Sequence, residues 1–318
     1  MRCLVTGAGG FVGRALTKAL TDAGHQVRAV VRQPGFRSVD SALTGAALDH
    51  VVGDLTEATD EIFAEWLAEI DTVFHLAART HQHNAPPAAY EQLNVGVTER
   101  LAHASVVARV GHFVFVSSVK AVGEETHDTP FSPETPEHPQ DAYGRTKLSA
   151  ERQLRAISDQ SALPISIVRP PLVYGSGALG NLASLVRIIQ RGVPLPLRSV
   201  DNQRSMISRD NLVDLLVTLT DRPLNRVALP ADVHLSTPQL IEVIARSLNQ
   251  PSRIFSVPPT LLELAGQLAG QSEKARRLTR SLVVTDPWLT QQFAWRPPHN
   301  PEAALRKMVI DVGASPQR

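Results

Sequence analysis

The sequence predicts an α/β fold, a doubly wound parallel sheet with a smaller C-terminal α/β domain, on three observations. Short apolar runs rich in Val, Ile and Phe alternate with longer amphipathic stretches as far as Arg169. A glycine-rich turn, Gly7-Ala8-Gly9-Gly10-Phe11-Val12-Gly13, joins the first apolar run to the first amphipathic stretch. The alternation then breaks at Arg169-Pro170-Pro171, beyond which helical patterns dominate.

Strands are expected at Arg2–Thr6, Gln26–Val31, His50–Gly53, Thr72–Leu76, His112–Ser117 and Pro164–Arg169. Their nearly continuous apolar character is that of parallel strands covered on both faces, with right-handed crossovers. The covering helices are expected near Phe11–Ala23, Asp60–Ile70, Tyr90–Val110 and Ala142–Ile157. Later helices are read near Asn181–Gln190, Asp210–Thr220, Pro238–Leu248, Leu261–Leu268 and Glu302–Ile310, with a strand at Asn225–Leu229 and less regular strands between. In Ser236-Thr237-Pro238, Thr237 reads as a helix cap and Pro238 as the first helical residue. The main boundary is placed near residue 172. Residues 1–172 plus about 210–235 then form one domain, and 173–209 plus 236–318 the other. Glu124–Asp141, with four prolines and several acids, reads as a surface segment lying over something.

The 318 residues carry a net charge of +1, with 32 Lys and Arg against 31 Asp and Glu and no basic run, so no nucleic-acid partner is expected. No apolar stretch approaches the roughly 18 residues of a membrane helix, and the first residues lack a secretory core. The single Cys3 allows no internal disulfide and reads as a small core residue, so a cytoplasmic location is expected. Trp66, Trp288 and Trp295 read as packing residues. His81-Gln82-His83 has no acid or cysteine nearby to complete a metal site, and none is expected.

The glycine turn has the form of a dinucleotide-binding, Rossmann-type fingerprint. Gly7 permits the tight turn, Gly10 lets the backbone approach a pyrophosphate, and Gly13 lets helix and strand pack closely. Phe11 and Val12 open the helix whose free N–H groups would hold that anion. The second strand usually ends in an acid that binds the ribose 2′-hydroxyl, but here it runs Val30-Val31-Arg32-Gln33, with Arg37 nearby. Arg32 is suited to a 2′-phosphate, so the cofactor leans to NADP without excluding NAD.

Tyr143 and Lys147 are four residues apart on one helix face. A free phenol, with a pKa of about 10, is a poor base at neutral pH. A neighbouring ammonium and a positive nicotinamide ring would favour the phenolate and let Tyr143 exchange a proton with a sugar hydroxyl. Lys147 is also suited to bond the nicotinamide ribose. Ser118 follows a strand at the carboxyl edge of the sheet, where its hydroxyl can hold the substrate oxygen.

At these residues the chain resembles the extended short-chain dehydrogenase/reductases, in their sugar-nucleotide epimerase/dehydratase branch. The likeness runs through Gly53-Asp54-Leu55, His75-Leu76-Ala77-Ala78, Asn94-Val95, Ser117-Ser118, Tyr143-Gly144-Arg145-Thr146-Lys147, Arg169–Gly175 and Asp210-Asn211-Leu212-Val213. It implies Asp54 and Leu55 at the adenine, backbone contacts from Leu76, Ala77 and Ala78, and a supporting role for Asn94. It also implies Pro170 and Val173 beside the nicotinamide. For a UDP-sugar it implies Asn181 and Arg204 at the phosphates, Leu195 at the uracil and Arg280 as a second arginine. Dehydratases of this branch carry Asp-Glu after the active-site Ser or Thr, whereas Ser118 is followed by Val119-Lys120. The phrases around Ser117, Tyr143 and Leu278 are most similar to the UDP-N-acetylquinovosamine dehydrogenase subgroup, many of whose relatives are called UDP-glucose 4-epimerase. The implied activity is reduction at carbon 4 of a UDP-4-keto-6-deoxy-N-acetylhexosamine, with 4-epimerisation on a retained NAD as the alternative. A dinucleotide sensor would tend to lose the Tyr-Lys pair, and a steroid or flavonoid reductase would need an apolar pocket. A homodimer, paired through the helices at Tyr90–Val110 and Ala142–Ile157, is expected by analogy.

Overall fold

The computed structural model describes residues 1–32, 48–80, 86–178 and 180–314. His81, His83 and Arg37 lie outside them. The first half alternates as expected: β1 (Arg2–Thr6), α1 (Phe11–Asp22), β2 (Gln26–Val31), β3 (Leu48–Val52), α2 (Asp60–Leu67) and β4 (Thr72–His75). Next come α3 (Pro87–Tyr90), α4 (Val97–Val107), β5 (His112–Val116), α5 (Ala142–Gln160), β6 (Ile165–Val168) and β7 (Leu172–Tyr174). The remainder is α6 (Asn181–Gln190), β8 (Arg204–Ser208), α7 (Arg209–Asp221), β9 (Val227–Ala228), β10 (Val233–Leu235), α8 (Thr237–Ser247), α9 (Pro259–Leu268), α10 (Ser272–Thr279), α11 (Pro287–Gln291) and α12 (Pro301–Ala314).

The large sheet has the order β3-β2-β1-β4-β5-β6-β9, and each pairing is parallel. Its inner strands β1, β4, β5 and β6 are buried on both faces because both faces are covered, while the edge strand β3 is largely exposed. One face packs α1 and α7 through Leu16, Leu20, Leu212 and Leu216, together with Trp295. The other packs α2, α4 and α5 through Phe63, Leu101 and Leu154, with Trp66 beside them. The strand order reverses between β1 and β4, and at such a switch point the carboxyl ends of the strands open a crevice. The chain returns to the large sheet after β8, since α7 lies against α1 and β9 pairs with β6. A smaller sheet, β10-β8-β7, shares a second core with α6, α8 and α12, built on Tyr174, Val186, Ile244 and Met308.

Several expectations need correction. The helix read over Tyr90–Val110 is continuous but not uniform, with a wider π-type turn at Glu91–Gly96 between α3 and α4. Ser236, not Thr237, caps α8: its hydroxyl accepts from the Gln239 amide while the Gln239 side chain accepts from the Ser236 amide. The Thr237 hydroxyl is used elsewhere, donating to the Leu278 carbonyl at 2.7 Å. Pro238 is consequently the second helical residue. Helices α10 and α11 were not expected. The segment 124–141 does lie over something, as a strap whose Phe131 amide and carbonyl pair with Val283 and Thr285 at 2.8 Å each. No helix among the described residues is long and apolar enough to cross a membrane. Cys3 is fully buried in the sheet, which pushes its thiol up to about 12.

Candidate active site

The glycine turn is sterically committed. Gly7 has φ +69°, and a Cβ there would lie 2.7 Å from the Ala77 nitrogen. A Cβ on Gly13 would lie 2.1 Å from the Gly7 carbonyl oxygen, so only hydrogen lets α1 start this close to β1. Gly10 caps α1 without a side-chain hydrogen bond, and no acid occupies the first turn. The opening amides of α1, at Phe11 and Val12, are thus suited to an anion, and this donor set fits a dinucleotide pyrophosphate.

Around the turn, Thr6 sets the neighbouring chain. Its hydroxyl takes the Ala77 amide at 3.3 Å and bonds His75 Nδ1 at 2.7 Å. His75 Nε2 meets the Thr98 hydroxyl at 2.9 Å. Burial, with Lys147 adding, pushes His75 down to about 3, so it is a neutral structural ring. Leu76, Ala77 and Ala78 follow half-buried. Asn94 sits in the π-type turn, where it accepts from the Arg79 amide at 2.8 Å and donates to the Thr146 hydroxyl at 3.0 Å. That turn supports the Tyr143 helix from outside. At the end of β3, the Thr56 hydroxyl and amide hold Asp54 below the usual carboxylate range, with Arg32 and Arg79 adding to the effect. Leu55 is buried beside the sheet, and Arg32 is exposed. Pro170 is buried where the Val119 amide donates to its carbonyl at 3.0 Å, and Val173 is half-buried on β7.

Ser118, Tyr143 and Lys147 come together at the carboxyl end of β5. Asp141 caps α5 by accepting from the Gly144 amide at 2.6 Å, which sets Tyr143 in the first turn and Lys147 one turn on. The Ser118 hydroxyl bonds the Tyr143 phenol. The Lys147 ammonium is 4.0 Å from the centre of the Phe115 ring, and only 1% of this residue is exposed. Burial pushes Lys147 down to about 7, opposed by the charge on Glu151. Burial also pushes the phenol up, Asp141 adds to the rise, and Ser118 opposes it. In the protein without ligands, burial therefore works against the phenolate. The same burial that places the pair disfavours both charged forms.

The second group of expected residues is more dispersed. Arg204 and Arg280 are adjacent, Arg204 Nη1 donating to the Arg280 carbonyl at 3.0 Å. Burial lowers the affinity of Arg204 for its proton, and Arg277 adds to that. The Arg280 fork is occupied by Glu263 at 2.6 and 2.7 Å, which leaves Arg204 the better anion ligand of the two. Asn181 is exposed at the start of α6, and Leu195 pairs with Arg253 and Phe255.

Sequence reasoning missed a buried charged group behind the trio. Arg169 and Glu151 are both 0% exposed, and Arg169 Nε meets the Glu151 carboxylate at 3.0 and 3.1 Å. Glu137 from the strap joins Arg169 at 2.8 Å, and Arg155 bonds both acids at 3.0 and 3.1 Å. Two signals were available: a charge closing the apolar strand of β6, and an acid one turn after Lys147 on α5.

Comparison with known proteins agrees with this arrangement. The model of the NAD dependent epimerase/dehydratase family matches residues 3–228. A UDP-glucose 4-epimerase of Vibrio cholerae is 36% identical over 314 residues, spanning 96% of this chain and 93% of that protein. Among solved structures, the UDP-glucuronic acid 4-epimerase from Bacillus cereus in complex with NAD superposes with a TM-score of 0.79 at 18% identity, covering 98% of each chain. The UDP-glucose 4-epimerase from Thermotoga maritima, with UDP-glucose, gives 0.78 at 20% identity and the same coverage. The seven-stranded parallel sheet, its glycine turn and the family match over most of the chain establish that this protein belongs to the NAD-dependent epimerase/dehydratase family.

Proposed function

We propose that this enzyme performs oxidation and reduction at carbon 4 of a UDP-hexose, and that its net reaction is 4-epimerisation. The observation that carries the reading is the Ser118–Tyr143 hydrogen bond, with Lys147 one turn away on the same helix, at the carboxyl end of β5. Bound over Gly7, Gly10 and Gly13, the nicotinamide dinucleotide supplies hydride acceptance and return. Tyr143 takes the proton of the 4-hydroxyl and gives it back to the keto oxygen, and Ser118 holds that oxygen against the phenol. Because burial disfavours the phenolate in the free protein, the phenol depends on positive charge arriving with its ligands. Lys147 holds the Tyr143 side of the site and the nicotinamide ribose. Asp54, Leu55, Leu76, Ala77, Ala78, Asn94, Pro170 and Val173 serve the cofactor in this reading. Arg204 grips the diphosphate, with Asn181, Leu195 and Arg280 around the nucleotide.

Epimerisation is favoured by the Vibrio cholerae relative, whose whole length is nearly matched. Elimination is disfavoured because Lys120, two residues after Ser118, is bound between Glu124 and Asp141. The second reading is the C4 ketone reductase, favoured by Arg32, which follows β2 where an NAD-specific acid would stand. On that reading Arg32→Ala weakens NADPH about tenfold or more and leaves NADH within threefold, as measured by nucleotide fluorescence titration. Equal losses would remove the NADP preference. Denaturing freshly purified protein and identifying the released dinucleotide separates the two readings. Stoichiometric NAD supports the epimerase, and an empty protein that binds NADPH reversibly supports the reductase. A homodimer through α4 and α5 and a cytoplasmic location belong to the same proposal.

A further inference from the structure

The proposed catalytic residues ride on separate elements of two layers, Tyr143 and Lys147 on α5 and Ser118 just after β5. Helix and strand backbones in adjacent layers spend their hydrogen bonds within their own elements, so side chains must set the register between them. One side chain reaches all the parts. Glu151 lies one turn after Lys147 on α5, is fully buried, accepts from the Ser117 hydroxyl and holds Arg169. Ser117 immediately precedes Ser118, and Arg169 immediately precedes Pro170. Glu137 and Arg155 complete an inner group of two carboxylates and two guanidiniums, with the exposed Arg152 3.7 Å from Glu137 at its edge, and Glu137 brings the strap into it. A buried ion pair of this kind is often no more stabilising than an apolar replacement, so its yield is a unique arrangement of the groups it joins.

We propose that Glu151 is a positioning residue for the reaction, fixing the Ser118 strand end against the Tyr143–Lys147 helix through Ser117 and Arg169. This rests on the catalytic reading of Ser118, Tyr143 and Lys147. The groups facing Lys147 are Tyr143 and Glu151 on its own helix, His75 from β4 and the Phe115 ring from β5. His75 is held neutral, so Glu151 is the charge that keeps the ammonium protonated against burial. Replacing it with a neutral group removes that charge, which lowers the proton affinity of Lys147 further.

The test is Glu151→Gln, compared with wild type and Tyr143→Phe in steady-state turnover of a UDP-hexose over a range of pH. The expected result is a kcat about ten- to a hundredfold lower with KM within threefold, as misplaced reacting groups produce. Dinucleotide affinity stays unchanged, and the alkaline limb of the kcat profile moves to lower pH. A folded variant with wild-type kcat and profile overturns the proposal. So does a loss of cofactor affinity with a rise in KM as large as the fall in kcat, which marks general loosening. Should Glu151→Gln not fold, Ser117→Ala decides, since it leaves the four charges in place. The expected kcat is about three- to tenfold lower at an unchanged melting temperature, and an unchanged kcat overturns the proposal. Wild type that converts no UDP-hexose refutes the functional reading instead. Glu151 is then judged by NMR titration of the Lys147 ammonium in the free protein: a lower midpoint in Glu151→Gln supports the role, and an unmoved one refutes it.

Discussion

Tyr143→Phe is expected to lower kcat by about a thousandfold, roughly 4 kcal/mol of lost transition-state stabilisation, within the range for removal of a positioned acid–base group. The ring is kept, so the half-buried site stays filled and the protein folds. What is lost is the hydroxyl that bonds Ser118 and exchanges the substrate proton. Binding is carried by other residues, namely the glycine turn for the dinucleotide and Arg204 for the diphosphate. The Kd values for dinucleotide and UDP are therefore expected to stay within threefold. The checks are steady-state turnover beside calorimetric titration of both ligands. Retention of more than a tenth of wild-type kcat would assign the proton transfer to another group.

Arg169→Met is expected to destabilise the fold by ~3–5 kcal/mol, because it leaves two buried or half-buried carboxylates with Arg155 and, on Glu137 only, the exposed Arg152. For a chain of this size the melting temperature should fall by roughly 5–8 °C. The pH dependence carries the sign. In wild type, burial pushes Glu137 up, but Arg169 and Arg155 outweigh it and hold it below its ordinary value. The resulting stability is present above the unfolded pKa and lost as pH falls through the folded one. Arg169→Met removes most of that pairing from Glu137, so the wild-type advantage is full at neutral pH and shrinks as acid protonates the carboxyl. The difference in melting temperature between wild type and variant is thus expected to narrow from pH 8 to pH 5. A constant or widening gap would show that the variant loses packing rather than a charge partner.

How far these features were legible depends on how local their causes are. β1, β2 and α6 fall where the apolar pattern places them, to the residue, because each buries a face that its own sequence repeats. The glycine turn was legible for the same reason, since Gly7 and Gly13 answer to steric limits that no other residue meets. The π-type turn between α3 and α4 was not, because it serves Asn94, whose partners Arg79 and Thr146 lie elsewhere in the chain. The caps of α8 could have been read correctly, as Ser236 and Gln239 have the spacing of a capping box. The strands β7, β8 and β10 are three to five residues long and answer to neighbours far along the chain. The buried Glu137–Glu151–Arg155–Arg169 group was hidden for that reason too, since its members meet only after β5, β6, α5 and the strap are assembled. The Tyr143–Lys147 spacing was visible, but not its burial, which sets the proton affinities of both groups opposite to the simple expectation.

The central claim is that hydride leaves and returns at carbon 4 while Tyr143 moves the hydroxyl proton. The measurement that tests it most directly is NMR of the purified protein with UDP-hexoses deuterated at carbon 4, UDP-glucose and UDP-N-acetylglucosamine first, in ordinary water. The account predicts the 4-epimer with its deuterium retained at carbon 4, since that label is never exchanged with solvent. Loss of the deuterium to water, or no epimer from any UDP-hexose with a dinucleotide-loaded enzyme, would contradict it.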